Sequence, residues 1–361
     1  MAGGVSRRRL FRAAALGIVG AAAGGLARTT RSLVAAAGAG SPDRALHAAA
    51  PHAAAPYGPG PATGPAPPHV TDLGVVGEFD LRRAPVDPMR YLTHFDWGRA
   101  SRLPGGRTLR EYRIVTQNRD VEVAPGVIFP AWTFNGQVPG PTLRARAGDR
   151  VRVHFSNGTL HPHNIHFHGF HPAEMDGVEP IPPGGSFVYE FDAEPFGLHL
   201  YHCHVQPLKR HIHKGLYGTF IIDPPGGRPP ARELVMMMNA FDTNFDGENE
   251  IYAVNSLPFY YMRHPIRIRR NELVRVYLVN ITEFDPINSF HLHANFFHVY
   301  RTGTRLTTAE FTDVITLGQA ERAVLEFRYA RPGRFMFHAH QSEFVELGWM
   351  SFFEVVDDGA L

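Results

Sequence analysis

One cysteine and 21 histidines stand in a chain of 361 residues. A lone thiol forms no intrachain disulfide, so Cys203 is an inert core thiol, a nucleophile or a metal ligand. Its neighbours His202 and His204 favour the last. They form one of four His-x-His pairs, the others being His166/His168, His291/His293 and His338/His340. Residues two apart on a strand project from the same face, so each pair offers two imidazoles to one site. A single pair arises readily in a histidine-rich chain. Four pairs, two in each half, point to metal, because eight buried imidazoles without one would need eight separate hydrogen-bond solutions. Imidazole suits copper, zinc, iron or nickel.

Cys203 narrows the choice. A thiolate with two imidazoles and a weak axial position is the arrangement of a blue, electron-transferring copper. His211 follows the cysteine on a loop, with Leu216 five residues later, and His163 offers the other imidazole from His161-Pro162-His163-Asn164-Ile165-His166. His213 competes with His211, since the spacing after such a cysteine varies. Zinc also accepts cysteine and histidine, yet one zinc leaves the second half's histidines unexplained.

These side chains require short strands to position them. Arg150-Val151-Arg152-Val153-His154-Phe155 alternates polar and apolar residues, the mark of a half-buried strand. Asn135-Gly136 and Pro139-Gly140-Pro141 are turn signals, and 30 prolines with 36 glycines imply many more. No long 3.6-residue period appears, so the expected class is all-β, sandwich or barrel. The halves repeat. Tyr189-Glu190-Phe191, Pro195-Phe196-Gly197 and Tyr201-His202-Cys203-His204 match Leu325-Glu326-Phe327, Arg331-Pro332-Gly333 and Phe337-His338-Ala339-His340. Two copies of one β-domain result, 108–225 and 226–361, with the boundary near Asp223-Pro224-Pro225-Gly226-Gly227. Residues 71–107 are expected to cover the first domain, and 41–70 form an Ala/Pro/Gly-rich linker. Residues 1–40 hold Ser6-Arg7-Arg8-Arg9-Leu10-Phe11 and an apolar run from Ala13 to Ala27, which resemble a Tat export signal. The run is short and glycine-rich for a membrane span. A periplasmic or extracellular protein, without a span once mature, is expected.

A formal charge of +2 creates no field suited to nucleic acid. Lys209 and Lys214 are the only lysines, a bias ascribed to base composition rather than to function. Met236-Met237-Met238 reads as a strand near the core, not as a Cu(I)-binding insert.

The chain resembles the multicopper oxidases, specifically the laccase-like two-domain kind with its blue copper in the first domain. Besides the histidine pairs, Phe134-Asn135-Gly136-Gln137-Val138-Pro139-Gly140-Pro141-Thr142 and Glu174-Met175-Asp176-Gly177-Val178 carry the likeness, which spans about residues 108 to 356. The resemblance implies two tandem cupredoxin-like Greek-key domains and four coppers per chain. It implies type 1 copper on His163, Cys203 and His211, with Leu216 where many relatives have an axial methionine, hence three-coordinate and of raised potential. Type 2 copper would take His166 and His291, and the type 3 pair His168, His202, His204, His293, His338 and His340. Asp176 matches the family's proton-supplying acid, with Glu343 a weaker second. Ala339 and Asn288 stand where a second type 1 site would need cysteine and histidine. His161, His171 and His199 are left as supporting or surface groups.

Relatives with two domains form rings of three chains with each cluster at a chain–chain interface, so a homotrimer is expected. The implied reaction passes electrons from a small reducing substrate, phenols or aryl amines by default, to O2, which becomes water. Three alternatives stand beside it: oxidation of Cu(I) or Mn(II), copper nitrite reduction, and a non-enzymatic copper or electron carrier. Nitrite reductases share the trimer and the His163-x4-His168 spacing, but usually lack a histidine directly after the copper cysteine and have aspartate where His166 stands.

Overall fold

In a computed structural model of the chain, which describes residues 86–357, strand Arg150–Asn157 shows the pattern that builds both halves. Val151, Val153 and Phe155 are buried, while Arg150, Arg152 and His154 alternate with them at the half-exposed face. The strand pairs in parallel with Thr108–Ala124 and antiparallel with Ser186–Asp192. Its counterpart, Val274–Asn280, pairs in parallel with Arg232–Phe241 and antiparallel with Arg322–Phe327. An Arg–Glu pair sits at the same register in each half, Arg152 with Glu190 and Arg275 with Glu326, each with an N–O distance of 2.6 Å.

Each half is a pair of packed sheets, five- and four-stranded in the first, six- and five-stranded in the second. The fold is thus all-β with two cupredoxin-like domains, as expected. One sheet of each domain carries the histidine pairs. His166–Phe167 pairs with Gly197–His202, which sets His166 opposite His202. Ile287–Leu292 pairs with Gly333–His338, which sets His291 opposite His338.

Three apolar clusters hold the molecule together. One fills the first domain around Phe134, Val153, Phe167 and Phe220, and another the second around Leu234, Val276, Phe290 and Trp349. The third joins them, packing Phe129, Leu198, Leu200 and Ile221 against Val235, Met237, Tyr277 and Val324. Alternation divides the methionine run: Met236 and Met238 enter the second domain's core and Met237 the junction. A buried charge network borders that junction. Arg144 meets Asp223 at 2.9 Å and Glu233 at 2.7 Å, and Glu233 also takes Arg275 at 3.2 Å and the Tyr277 hydroxyl at 2.6 Å. Removing one member would strand a buried charge, at a cost of about 3–5 kcal/mol.

The segment before residue 108 reaches beyond the first domain. Helix Pro88–Thr93 starts at Asp87, whose side chain accepts the Met89 amide at 2.8 Å. Leu92 then buries in the second domain's core, and the Tyr261 hydroxyl donates to the Pro88 carbonyl at 2.8 Å. Arg99–Arg102 adds to the edge of the first domain's sheet. Among the described residues no helix is long and apolar enough to cross a membrane. The export segment, the linker and residues 71–85 lie outside the described residues.

Candidate metal centres

Cys203 follows the last residue of strand Gly197–His202 and is fully buried. Its Sγ lies 3.1 Å from His211 Nδ1 and 3.8 Å from His163 Nδ1, and the two nitrogens are 3.1 Å apart. Burial pushes the thiol up to about 11, against the pull of the backbone amides of Asn164, His204 and Val205. Burial also lowers His163 to about 3 and His211 to about 4. Two neutral rings facing Nδ1 to Nδ1 share at most one proton. The three atoms therefore form a donor set that a thiophilic cation suits, and copper on thiolate and two imidazoles fits it. Leu216 is fully buried beside them and brings no donor atom; its carbonyl accepts the Cys203 amide at 3.0 Å.

The rivalry between His211 and His213 is decided by a helical turn. Both lie in Leu208–His213, where residues two apart face different sides. His211 turns to the sulfur. His213 packs among Phe129, Phe245 and Phe284, and its Nε2 accepts the Asp242 amide at 3.2 Å.

Beyond Cys203, four rings gather on the first domain. His166 lies 5.2 Å from His168, 5.3 Å from His202 and 5.5 Å from His204 between ring centroids. His168 Nε2 and His202 Nε2 face each other at 3.2 Å. Nδ1 of His202 and Nδ1 of His166 are tied back. His202 Nδ1 is 3.0 Å from the Cys203 carbonyl, and His166 Nδ1 is 2.8 Å from the Asp176 carbonyl and 3.1 Å from Asp176 Oδ1. Such ties hold Nδ1–H as donor and leave Nε2 for a metal. Burial lowers His168 to about 3 and His202 to about 4.

The second domain repeats this set. His291 lies 5.1 Å from His293, 5.3 Å from His338 and 5.2 Å from His340. His293 Nε2 and His338 Nε2 are 2.9 Å apart. His338 Nδ1 is tied to the Ala339 carbonyl, and His291 Nδ1 to the Asp313 carbonyl at 2.9 Å, with Asp313 Oδ2 at 3.9 Å. The amide of each last histidine is also held: His204 donates to Asn164 Oδ1 at 2.8 Å and His340 to Ser289 Oγ at 2.7 Å. Among the described residues, no ring of the first set touches one of the second, and outside its set His166 meets the ring of His171 at 5.9 Å. His204, His293 and His340 are exposed.

Among the described residues the second domain has no counterpart of the Cys203 site. Asn288, Ala339 and Trp349 stand where the first has His163, Cys203 and Leu216, and the Ala339 amide donates to the Trp349 carbonyl at 3.3 Å as that of Cys203 does to Leu216. The Trp349 indole fills the space and donates to Asn288 Oδ1 at 3.1 Å.

Of the predicted acids, Asp176 sits against His166 after the turn Ala173–Met175, with His171 Nε2 3.7 Å from its Oδ1. The Glu343 side chain is exposed in helix Ser342–Glu346, and among the described residues no contact joins it to the rings. His199 Nε2 donates to the Pro195 carbonyl at 2.8 Å, and the His161 ring lies 4.9 Å from Trp132. Four supporting residues were not foreseen. Asn164 and Ser289 are legible in hindsight, each two residues before the first histidine of its domain's earlier pair. Asp313 comes from a turn 22 residues past His291 with no motif around it, and Trp349 shows no pattern of its own.

Two family profiles, both described as multicopper oxidase, match residues 116–227 and 227–359. A solved structure described as a multicopper oxidase is 56% identical, covers 77% of this chain and all of its own, and superposes with a TM-score of 0.76. A blue copper oxidase from Nitrosomonas europaea is 27% identical, covering 68% of this chain and 86% of its own at a TM-score of 0.63. A copper-containing nitrite reductase from Neisseria gonorrhoeae is 29% identical over 254 residues, 63% of this chain. The match spans 63% of that curated relative's length.

Proposed function

The chain belongs to the multicopper oxidase family, and from that premise we propose that it couples one-electron oxidation of a small phenol or aryl amine to four-electron reduction of O2 to water. The observation that carries this reading is the second set of four imidazoles, built like the first and additional to the Cys203 site. A carrier needs only the Cys203 donors. The nitrite reductase likeness favours a second reading, but His204 directly after Cys203 and His166 beside Asp176 complete a set of four rings, which supports the oxidase.

Copper bound at these donors would supply one-electron chemistry at Cys203 and O2 reduction at the histidine sets. The chain's residues do the rest. Cys203 joins His202 and His204 covalently, so one three-residue stretch links the thiolate to two imidazoles of the first set. Asp176 orients His166 through Nδ1 and, half-exposed, can hold a proton at Oδ1 for a reaction that consumes protons. Asp313 holds His291 Nδ1 through its backbone carbonyl at 2.9 Å, with its carboxylate farther off at 3.9 Å. Leu216 is buried beside Cys203 and offers no donor atom, and copper held by Cys203, His163 and His211 would have its potential raised by that lack.

The exposed His204, His293 and His340 support completion of each set by the opposite set of another copy, in a ring of three. The twin-arginine start supports export to the periplasm or beyond; residues 1–40 fused to a reporter should direct its Tat-dependent export.

The deciding experiment counts copper and measures O2 uptake with phenols, Cu(I), Mn(II) and nitrite. About four coppers per chain with phenol-driven O2 uptake supports the oxidase. Two coppers with nitrite turnover would replace it with the reductase, and one copper without turnover with a carrier. A copper-loaded, active monomer in sedimentation would remove the trimer.

A further inference from the structure

All but two of the chain's 36 lysine and arginine residues are arginine, and both lysines face one cleft. The cleft, of about 690 Å3, lies beside helix Leu208–His213 and is lined by Lys209, Arg210, His213, Lys214, Phe245 and Phe284, together with Asp242 and Asp246. Base composition accounts for the scarcity of lysine but not for this shared placement. A volume within the roughly 300–1,000 Å3 of small-molecule sites suits one aromatic ring with substituents.

The cleft's chemistry is cationic and aromatic. Lys214 is 8% exposed, and its Nζ lies 4.9 Å from the Phe129 ring centre, 5.1 Å from Phe245 and 6.0 Å from Trp132. Lys209 Nζ lies 5.0 Å from Phe284. Among the described residues neither ammonium has a carboxylate within ion-pair distance, and Asp120 acts on Lys214 only from farther away. The cleft's own carboxylates are turned to their loop. Asp242 accepts the amides of Asp246 at 3.1 Å and Gly247 at 2.7 Å, and Asp246 accepts that of Glu248 at 3.0 Å. Cation–π contacts offset only part of the desolvation of a buried ammonium. An anion completes that compensation where a neutral ligand does not.

The cleft also adjoins the thiolate site. The helix that turns His213, Lys209 and Arg210 to the cleft turns His211 to Cys203. Arg210 lies 5.1 Å from Trp132, whose ring is 4.9 Å from His211 and 5.1 Å from His163.

We propose that this cleft is the electron-donor site and that Lys209 and Lys214 select anionic aromatic donors, phenols carrying a carboxylate or sulfonate. The proposal rests on the oxidase reading. Each donor gives up one electron and its phenolic proton and leaves as a phenoxyl radical, so that 4 ArOH + O2 → 4 ArO• + 2 H2O balances. The acid group stays ionised and serves only in binding.

Two measurements test it on the copper-loaded protein. Calorimetric titration with benzenesulfonate, an aromatic anion without an oxidisable hydroxyl, should show binding that neutral benzyl alcohol does not match and that weakens with salt. Lys209→Gln should weaken it about tenfold. In steady state the same change should lower kcat/KM for a sulfonated phenol about tenfold and for the neutral phenol far less, and Lys209→Glu should shift preference toward a cationic aryl amine. Lys214→Met should act in the same direction as Lys209→Gln; because Lys214 is buried, the exposed Lys209 keeps the test independent of folding. Equal losses for the two phenols, or benzenesulfonate binding indifferent to Lys209, would overturn the proposal. If no donor of any charge drives O2 uptake from protein holding four coppers, the oxidase reading fails, and the benzenesulfonate titration still decides the cleft.

Discussion

Between the sheets of the first domain stand His163, Cys203 and Leu216; between those of the second stand Asn288, Ala339 and Trp349. The backbone frame is shared, down to the Arg–Glu registers and the facing histidine strands. What differs is four side chains, because Phe344 also stands where the first domain has His211: their carbonyls accept the amides of Trp349 and Leu216. In the first domain they leave a thiol and two Nδ1 atoms converging without enough protons to satisfy one another. In the second they close the same space with an indole and one satisfied hydrogen bond. A cupredoxin frame is thus compatible with either a redox site or a packed core, and donor type with side-chain volume decides between them. The outward histidine sets, by contrast, are kept in both domains.

The sharpest way to break this comparison is to remove its asymmetry. Cys203→Ser should abolish the visible thiolate-to-copper band and reduce donor-driven O2 uptake by more than about 100-fold, a larger loss than that of a supporting residue. Retained colour would mean that the thiolate is not the chromophore. The reverse experiment installs Asn288→His, Ala339→Cys and, at the counterpart of His211, Phe344→His. Alone, these three should bind no blue copper, because Trp349 occupies the site. Adding Trp349→Leu opens it, at a cost approaching the roughly 3–5 kcal/mol of a buried tryptophan truncation. A second blue band in the triple variant that keeps Trp349 would show that volume is not what excludes copper.

A subtler comparison concerns the two aspartates. Asp176→Asn should slow O2 reduction by about 10–100-fold while leaving the blue band intact, and Asp313→Asn, whose backbone carbonyl still holds His291 Nδ1, should slow it far less. If Asp176 moves protons and Asp313 only orients a ring, the pH profile of the rate will shift in the first variant alone. A full-speed Asp176→Asn enzyme would end the proton role. Leu216→Met should lower the potential of the Cys203 copper, and a redox titration in which the variant is equal or higher would contradict a donor-free axial position.

A last comparison of the two domains is by pH. Burial holds His163 and His168 near 3, and His199, His202, His211 and His213 near 4, all in the first domain. In the second, His293 and His338 are lowered as well, with burial again the main cause. Depressed imidazoles refuse protons that the unfolded chain accepts below about 6.5. Stability of the copper-free protein is therefore full above that pH and falls as the pH drops toward 4, by up to about 1.4 kcal/mol per unit for each buried ring of the first domain. Melting temperatures of copper-free protein from pH 7 to 4 should decline, and His213→Gln should flatten the slope slightly. A flat profile would mean that these rings are not held neutral.

Much of this protein was legible before folding. His-x-His on a strand is a local, period-two device, so the pairs, the repeat of the domain and the all-β class could be read from neighbouring residues alone. The Cys203 triplet likewise shows a thiol between two imidazoles in three consecutive residues. Three things were settled only in three dimensions. A single helical turn, not spacing, sends His211 to the sulfur and His213 away. Asp313 and Trp349 reach their partners from turns and strands distant in the chain. Lys209 and Lys214 meet Phe245 and Phe284, which belong to the other domain, across one cleft. The physical reason is common to all three. Local periodicity dictates which face a side chain takes, whereas convergence of distant segments depends on how sheets pack and loops close, and no short stretch of sequence contains that.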